Sequence, residues 1–334
     1  MMALKTLLAS AALAGVMALT ASVAQAREMS LATYIPANSS FVTELVEPLV
    51  AWINERANGE FTITVYAGGT LGRDPNQQDR IVSSGIADMA AIVPSRNPGA
   101  YPHYRIFELP GMARSAEEGS YAAWQLHQEG ILQTGDTLHV IAVWTTDPYL
   151  IHTAEPVNGP GDVAGLRMRV LGQTQTESVL ALGGVPQGMS MTEAPEAISR
   201  GTLDGALADW AVYDIFRLGE VADYTYTMPL GVLAMALVMN PDSYAELSPA
   251  GQALLDQAGE EWQRLLAEFY GRDRARIIEE GVARGHVITQ ASDADIAAVN
   301  EVTSGMRESM RSVVGEEVLD AYGRLLDAYR AGAR

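Results

Sequence analysis

There is no cysteine among the 334 residues. Disulfides, thiolate metal sites and cysteine nucleophiles are excluded together. Positive charge is scarce as well: 22 Lys and Arg stand against 41 Asp and Glu, a formal net charge of −19. Nucleic acid and anionic membrane surfaces are therefore poor partners for this chain. A local cationic site can still hold an organic anion, because contact distance overrides the global field. The sequence has no Gly-x-Ser-x-Gly, no phosphate loop and no dinucleotide fingerprint. Its five histidines, at positions 103, 127, 139, 152 and 286, have no helical metal-ligand spacing. Beyond residue 26 no apolar run reaches the length of a membrane-spanning helix, and no internal repeat, low-complexity tract or flexible linker interrupts the chain.

What is present reads as an exported, folded protein. Hydrophobic residues make up 48% and charged residues 19% of the chain, the balance of a folded domain rather than a disordered one. The length allows two domains with sizeable cores. Lys5 followed by an apolar run over residues 7–19, then Ala24-Gln25-Ala26, fits a secretory signal with small-x-small cleavage. Residues 1–26 are thus expected to be a signal peptide, and the mature chain to start at Arg27.

Strand and helix patterns then alternate. Residues 29–34 form a short strand pattern. Residues 39–57 place Val42, Leu45, Val46, Leu49 and Ile53 on one helical face, with Pro48 predicting a kink. Phe61, Ile63 and Val65 alternate with polar neighbours, as in a half-buried strand. Asp74-Pro75 is a helix start, and Ser115-x-x-Glu118 a capping box. Strands are expected at 87–93 and 137–144, giving an α/β unit with a mostly parallel sheet. The apolar residues 224–239 are expected to return to it as a strand. Residues 248–285 form one long helix pattern, and two more helices are expected near 293–311 and 315–331.

The stretch from Gly165 to Trp210 carries the most specific signal. Its glycines and prolines divide it into strand, helix, strand, helix, strand. The blocks are Gly165-Leu166-Arg167-Met168-Arg169-Val170, then Gly183-Gly184-Val185-Pro186, Glu193, and Gly201-Thr202-Leu203-Asp204-Gly205. With Gly69-Thr70-Leu71-Gly72, Gly85-Ile86-Ala87-Asp88-Met89, Met239-Asn240 and Leu247-Ser248-Pro249, these blocks resemble, in order, the substrate-binding proteins of tripartite ATP-independent periplasmic (TRAP) transporters, the DctP-like family. The resemblance covers nearly all of the chain after residue 26. It implies an α/β, two-lobed periplasmic binding protein clamshell with a long helix spanning both lobes. Residues 27–147 plus about 230–270 would form lobe I, and 148–229 plus about 271–334 lobe II.

The same resemblance implies that Arg169 clamps a ligand carboxylate. A guanidinium suits that role, since its planar fork donates two parallel charge-assisted hydrogen bonds. Trp210 would supply a flat apolar wall, with packing in the core as the alternative. Asp209 would accept from a ligand hydroxyl or hold Arg169. Sialic-acid and dicarboxylate binders of the family tend to carry a second arginine near residues 144–153; none stands there, and Tyr149 and His152 offer a hydroxyl and an imidazole donor instead. For His152 a satisfied, partly buried ring is the alternative. Tyr34, Ser95, Arg96 and Asn97 fall at strand ends facing the expected crevice.

The resulting expectation is a periplasmic solute receptor. It binds an organic monocarboxylate, an aromatic or branched hydroxy- or keto-acid, and delivers it to the membrane subunits of a TRAP-type ion-coupled permease, without cofactor or metal. A receptor feeding a sensor system is the alternative within the binding class. With 41 acidic residues, paired carboxylates leave an exported hydrolase as the enzyme-class alternative.

Overall fold

Two β-sheets organise the chain in the computed structural model, which describes residues 26–132 and 137–333. The expected signal peptide lies almost wholly outside the described residues. Strands are β1 (Arg27–Ala32), β2 (Phe61–Tyr66), β3 (Met89–Ile92), β4 (His139–Thr145), β5 (Leu150–Thr153), β6 (Arg167–Val170), β7 (Val185–Gly188), β8 (Gly205–Ala208), β9 (Tyr224–Tyr226), β10 (Ala234–Met239) and β11 (Val287–Thr289). The first sheet has the order β2-β1-β3-β10-β4 and the second β11-β9-β5-β8-β6-β7. In the first, β1 is parallel to β2 and β3, while β10 runs antiparallel between β3 and β4. In the second, β6 is parallel to β7 and β8, and β5 is antiparallel to β8 and β9.

Helices are α1 (Glu47–Arg56), α2 (Gln78–Ser83), α3 (Ala116–Gln128), α4 (Gly172–Ala181), α5 (Ala194–Ser199), α6 (Trp210–Ile215), α7 (Pro241–Ala245), α8 (Pro249–Ala283), α9 (Asp293–Val302), α10 (Ser304–Val314) and α11 (Glu316–Arg330). Their starts follow from local chemistry. Asp74 accepts from Asn76 N at 2.9 Å ahead of Pro75. Ser248 accepts from Gly251 N ahead of Pro249, opening the 35-residue α8. Ser115 accepts from Glu118 N, as the capping box requires, but Glu118 accepts from Arg114 N at 2.6 Å rather than from the cap residue itself.

Pro48 acts differently from a simple kink. The chain is π-helical over Val42–Val46 and enters α1 with Pro48 in its first turn. A proline cannot donate to the carbonyl four residues back, and the widened turn immediately before it absorbs that loss. The apolar stretch 224–239 also divides: β9 joins the second sheet, and only β10 returns to the first. Residues 293–311 form two helices, separated at Thr303, whose hydroxyl donates back to Val299 O at 2.7 Å.

The chain passes between the sheets three times: from β4 to β5, from β9 to β10, and through α8 toward β11. The long helix packs on α1, α3 and β4 at one end and on α6 at the other. One buried apolar cluster is continuous across these crossings, running from Met29 and Leu31 through Trp144 and Trp262 to Leu207 and Tyr226. Trp144 and Trp262 meet edge to face at 4.8 Å. The last two helices depart from the expected placement of residues 271–334 in the second lobe, whereas β11 keeps to it. Met306, Met310, Val318, Tyr322 and Leu326 bury against Tyr104, Phe107 and Leu126 of the first lobe, with Phe107 and Tyr322 rings 4.9 Å apart.

Candidate functional site

Parallel strands of both lobes end toward the same crevice, the position where open α/β sheets take ligands. From the first lobe, the segments after β1 and β3 carry Tyr34 and Ser95–Arg96. From the second, β6 carries Arg169 near its end and β8 is followed by Asp209. Because β5 runs antiparallel to β8, with Leu150 opposite Ala208, Tyr149 falls beside Asp209 at this same edge.

The two arginines of the β6 motif separate cleanly. Arg167 is half-exposed and makes a bidentate pair with Asp204, Nε to Oδ2 at 2.9 Å and Nη2 to Oδ1 at 2.6 Å, while its backbone N–H also donates to Oδ2 at 2.7 Å. This locks β6 to the start of β8. The following Gly205 is needed for close packing, since a Cβ there would stand 2.3 Å from His152 O. Arg169, by contrast, is 2% exposed. Its Nε donates to Met189 O at 3.0 Å and its Nη1 to Leu207 O at 3.3 Å. Among the described residues no carboxylate is paired with it. Burial lowers its pKa to about 10, opposed by the neighbouring Tyr149 and Tyr34 hydroxyls and reinforced by Arg96. A guanidinium so buried remains charged at neutral pH and lacks a counter-ion, the condition under which an incoming carboxylate gains most.

Two tyrosines stand within electrostatic reach of both this cation and Asp209. The Tyr34 hydroxyl is raised by burial and feels Arg96, Arg169 and Asp209. Tyr149 is 2% exposed, raised far more by burial, and feels Asp209, Arg169, Arg96 and Glu108. Both therefore stay protonated and can donate. Asp209 is fully buried and caps α6, accepting from Val212 N at 2.7 Å through Oδ1. Its pKa is raised to about 7, mainly by burial. Arg96 spans outward to Asn76 Oδ1 at 2.8 Å, with a buried Nε that has no partner among the described residues.

Other candidates stand apart from this group. His152 is fully buried, with Nδ1 on the Thr225 hydroxyl at 2.7 Å and Nε2 on Ala208 O at 3.1 Å. Both ring nitrogens are taken, so the imidazole has no donor for a ligand; burial lowers its pKa to about 3. Trp210 follows Asp209 as the first residue of α6. It packs edge to face on His152 at 5.3 Å and on Tyr213 at 5.3 Å, and it lines a separate groove of about 690 Å³ with Leu150, Pro148 and Ile278. Asn97 is exposed and donates to Asp79 Oδ2 at 3.3 Å. Ser95 turns toward Glu108.

Sequence reasoning passed over Glu108 and Tyr270. Glu108 is 4% exposed, and burial raises it to about 7 against the pull of the Ser95 and Thr174 hydroxyls. A lone carboxylate inside the apolar run Ile106-Phe107-Glu108-Leu109 was the available signal. Tyr270 projects from α8 into the field of Asp209 and Asp147; the regular apolar face of the helix hides it.

A family model described as "Bacterial extracellular solute-binding protein, family 7" (DctP) matches residues 31–312. The chain belongs to the DctP family. The family is one of bacterial extracellular solute-binding proteins, and the chain is accordingly a solute-binding protein of that family. Among the described residues no helix is long and apolar enough to cross a membrane. The C4-dicarboxylate-binding periplasmic protein DctP of Rhodobacter capsulatus is 22% identical over 278 residues, 79% of this chain and 80% of that protein. Solved structures repeat the two-lobed fold. A marine metagenome TRAP solute binding protein, described as specific for aromatic acid ligands, superposes with TM-score 0.85 at 24% identity, covering 91% of this chain and 99% of that one. The TRAP protein of Rhodoferax ferrireducens with copurified benzoate gives 0.85 at 22%, covering 92% and 99%. That of Bordetella bronchiseptica with bound mandelate gives 0.81 at 22%, covering 90% and 99%.

Proposed function

We propose that this DctP-family receptor captures an aromatic monocarboxylate in the crevice between its lobes, through Arg169, and acts as a carrier protein without catalysing a reaction. The observation that carries the reading is the buried Arg169 guanidinium, fixed by two backbone carbonyls and free of any protein carboxylate among the described residues. One cation of that kind matches one carboxylate. The Tyr34 and Tyr149 rings supply flat apolar surface with donor tips. Relatives of the same fold bind benzoate, mandelate and meta-hydroxyphenylacetate, which is in keeping with the aromatic class. Further contacts would come from Ser95 and Arg96 of the first lobe. Export through a signal peptide cleaved after Ala26 would deliver the receptor to the periplasm.

Mass spectrometry of solute released from denatured, freshly purified protein tests this. Calorimetric titration of stripped protein with benzoate, mandelate and succinate complements it. Tight binding of an aromatic acid and weak binding of succinate is the expected result. Preference for succinate overturns the monocarboxylate assignment.

A further inference from the structure

The carboxyl group of Asp209 is difficult to account for as an anion. One oxygen accepts from Val212 N at 2.7 Å, and the other, Oδ2, is buried with no partner among the described residues. Among the described residues no cation is paired with it; Arg274 of α8 is committed to Asp147 and Glu117. The Ala211 N–H and the Thr146 hydroxyl stand near and favour the anion, but burial outweighs them, and the Thr146 proton goes to Asp147 O at 2.8 Å. The remaining groups that face it are Tyr34 and Tyr149 at the crevice and Tyr270 from α8, with the second acid Asp147 on the crossing before β5. A fully buried carboxylate without counter-charge, with an orphan oxygen and an acidic neighbour, is the arrangement that favours the neutral acid. As an acid it gains one O–H donor, and that donor needs an acceptor.

We propose that Asp209 enters the closed complex as a neutral carboxylic acid whose Oδ2–H donates to an oxygen of the bound acid, so that solute and one proton are captured together. This rests on the reading that the crevice binds a carboxylate. It resolves the repulsion that a charged Asp209 would impose on such a ligand. In an open crevice water reaches the side chain and it ionises near the ordinary aspartate value of about 3.9. Closure removes that water, and burial then raises the group toward 7. Between those two values the bound form holds a proton that the free form lacks. Affinity therefore falls with rising pH in that window, by up to about tenfold per unit, and is flat on either side of it.

Calorimetric titration with benzoate and mandelate at pH 6.5, in two buffers of different ionisation enthalpy, reads the protons taken up per ligand. Glu108 and Asp147 are also raised by burial, so the deciding quantity is the difference between wild type and Asp209→Asn. Asparagine caps a helix as well as aspartate does and carries the N–H donor permanently. The expected result is that Asp209→Asn, which carries its donor without protonation, binds at least as tightly as wild type at pH 5.5, takes up close to one proton fewer at pH 6.5, and loses up to about tenfold per pH unit of slope. Equal proton uptake by the two proteins overturns the proposal, as does a hundredfold loss of binding in the variant at pH 5.5. Failure of every aromatic acid to bind at any pH overturns the functional reading itself and this inference with it.

Discussion

Replacing Arg169 by lysine keeps a positive charge and removes a shape. In the native protein Nε and Nη1 are held by Met189 O at 3.0 Å and Leu207 O at 3.3 Å, and these two bonds set the plane of the guanidinium. A lysine ammonium has no equivalent of this double anchorage. It leaves at least one of the two buried carbonyls without a donor, which costs about 1–3 kcal/mol, and brings a strongly hydrated point charge into a site that is 2% exposed. It also offers the ligand one bond where the fork offers two. Losing a desolvated, charge-assisted pair of this kind costs about 2–5 kcal/mol of binding, or roughly thirty- to several-thousand-fold in Kd. Titration calorimetry with benzoate, on protein stripped of co-purified solute, measures the ratio directly; a thermal melt on the same sample separates binding loss from unfolding. A folded Arg169→Lys protein whose Kd lies within about threefold of wild type would remove Arg169 from the site and with it the basis of the proposed function.

Closure is open to a scattering experiment. In this structure α4 of the second lobe packs against the turns at Pro102–Glu108 of the first, so saturating ligand should hold the compact form, and stripped protein should show a larger radius of gyration; identical curves contradict ligand-driven closure. Gly231→Ala should be poorly tolerated. Its φ is +91° and a Cβ would stand 2.2 Å from Glu108 O, a backbone atom that cannot swing away, so the cost is about 2–4 kcal/mol and an unchanged melting temperature refutes the argument. Export predicts a mature protein beginning at Arg27; intact-mass measurement of periplasmic material that retains Met1 contradicts it.

The architecture was legible wherever local chemistry and tertiary packing agree. Asp74-Pro75 and Ser115 start helices because the orphan N–H groups of a first turn need a partner whatever the surroundings. The alternation of glycines and apolar runs between Gly165 and Gly205 reads as strand, helix, strand, helix, strand, and folds so. The β6 arginines were readable only in part. Spacing places Arg167 and Arg169 on one side of a strand, but only the fold reveals that Asp204 neutralises the first and leaves the second unpaired. Asp209 and Trp210 mark where sequence pattern runs out. They are adjacent, but β8 ends before them: Asp209 is the cap and Trp210 the first residue of α6, and this strand-to-helix turn parts the carboxyl, held by Val212 N, from the indole, which lines the groove with Leu150 and Ile278. His152 resembles a donor in the sequence, yet a serial arrangement through Thr225 to His286, with 2.7 Å on either side of the hydroxyl, consumes it. The destination of α10 and α11 was hidden for another reason. Their apolar stripes are evident in the sequence, but a stripe does not name the lobe it will cover.

The three passages of the chain between the sheets have a mechanical consequence. Two bodies tied at one point can turn about any axis; tied by these three passages, one of them a continuous helix of 35 residues, and by the return of α10 and α11 to the first lobe, they retain little freedom beyond a single bending coordinate. Chemical diversity among solutes is thereby reduced to one variable. Whatever acid occupies the crevice, the outside of the protein registers only how far the two halves have folded together. A membrane partner that senses the spacing of two surface points, one on each lobe, receives a yes-or-no report of occupancy and learns nothing of the solute's structure. Under the proposed function, selectivity then resides in the side chains that line the crevice.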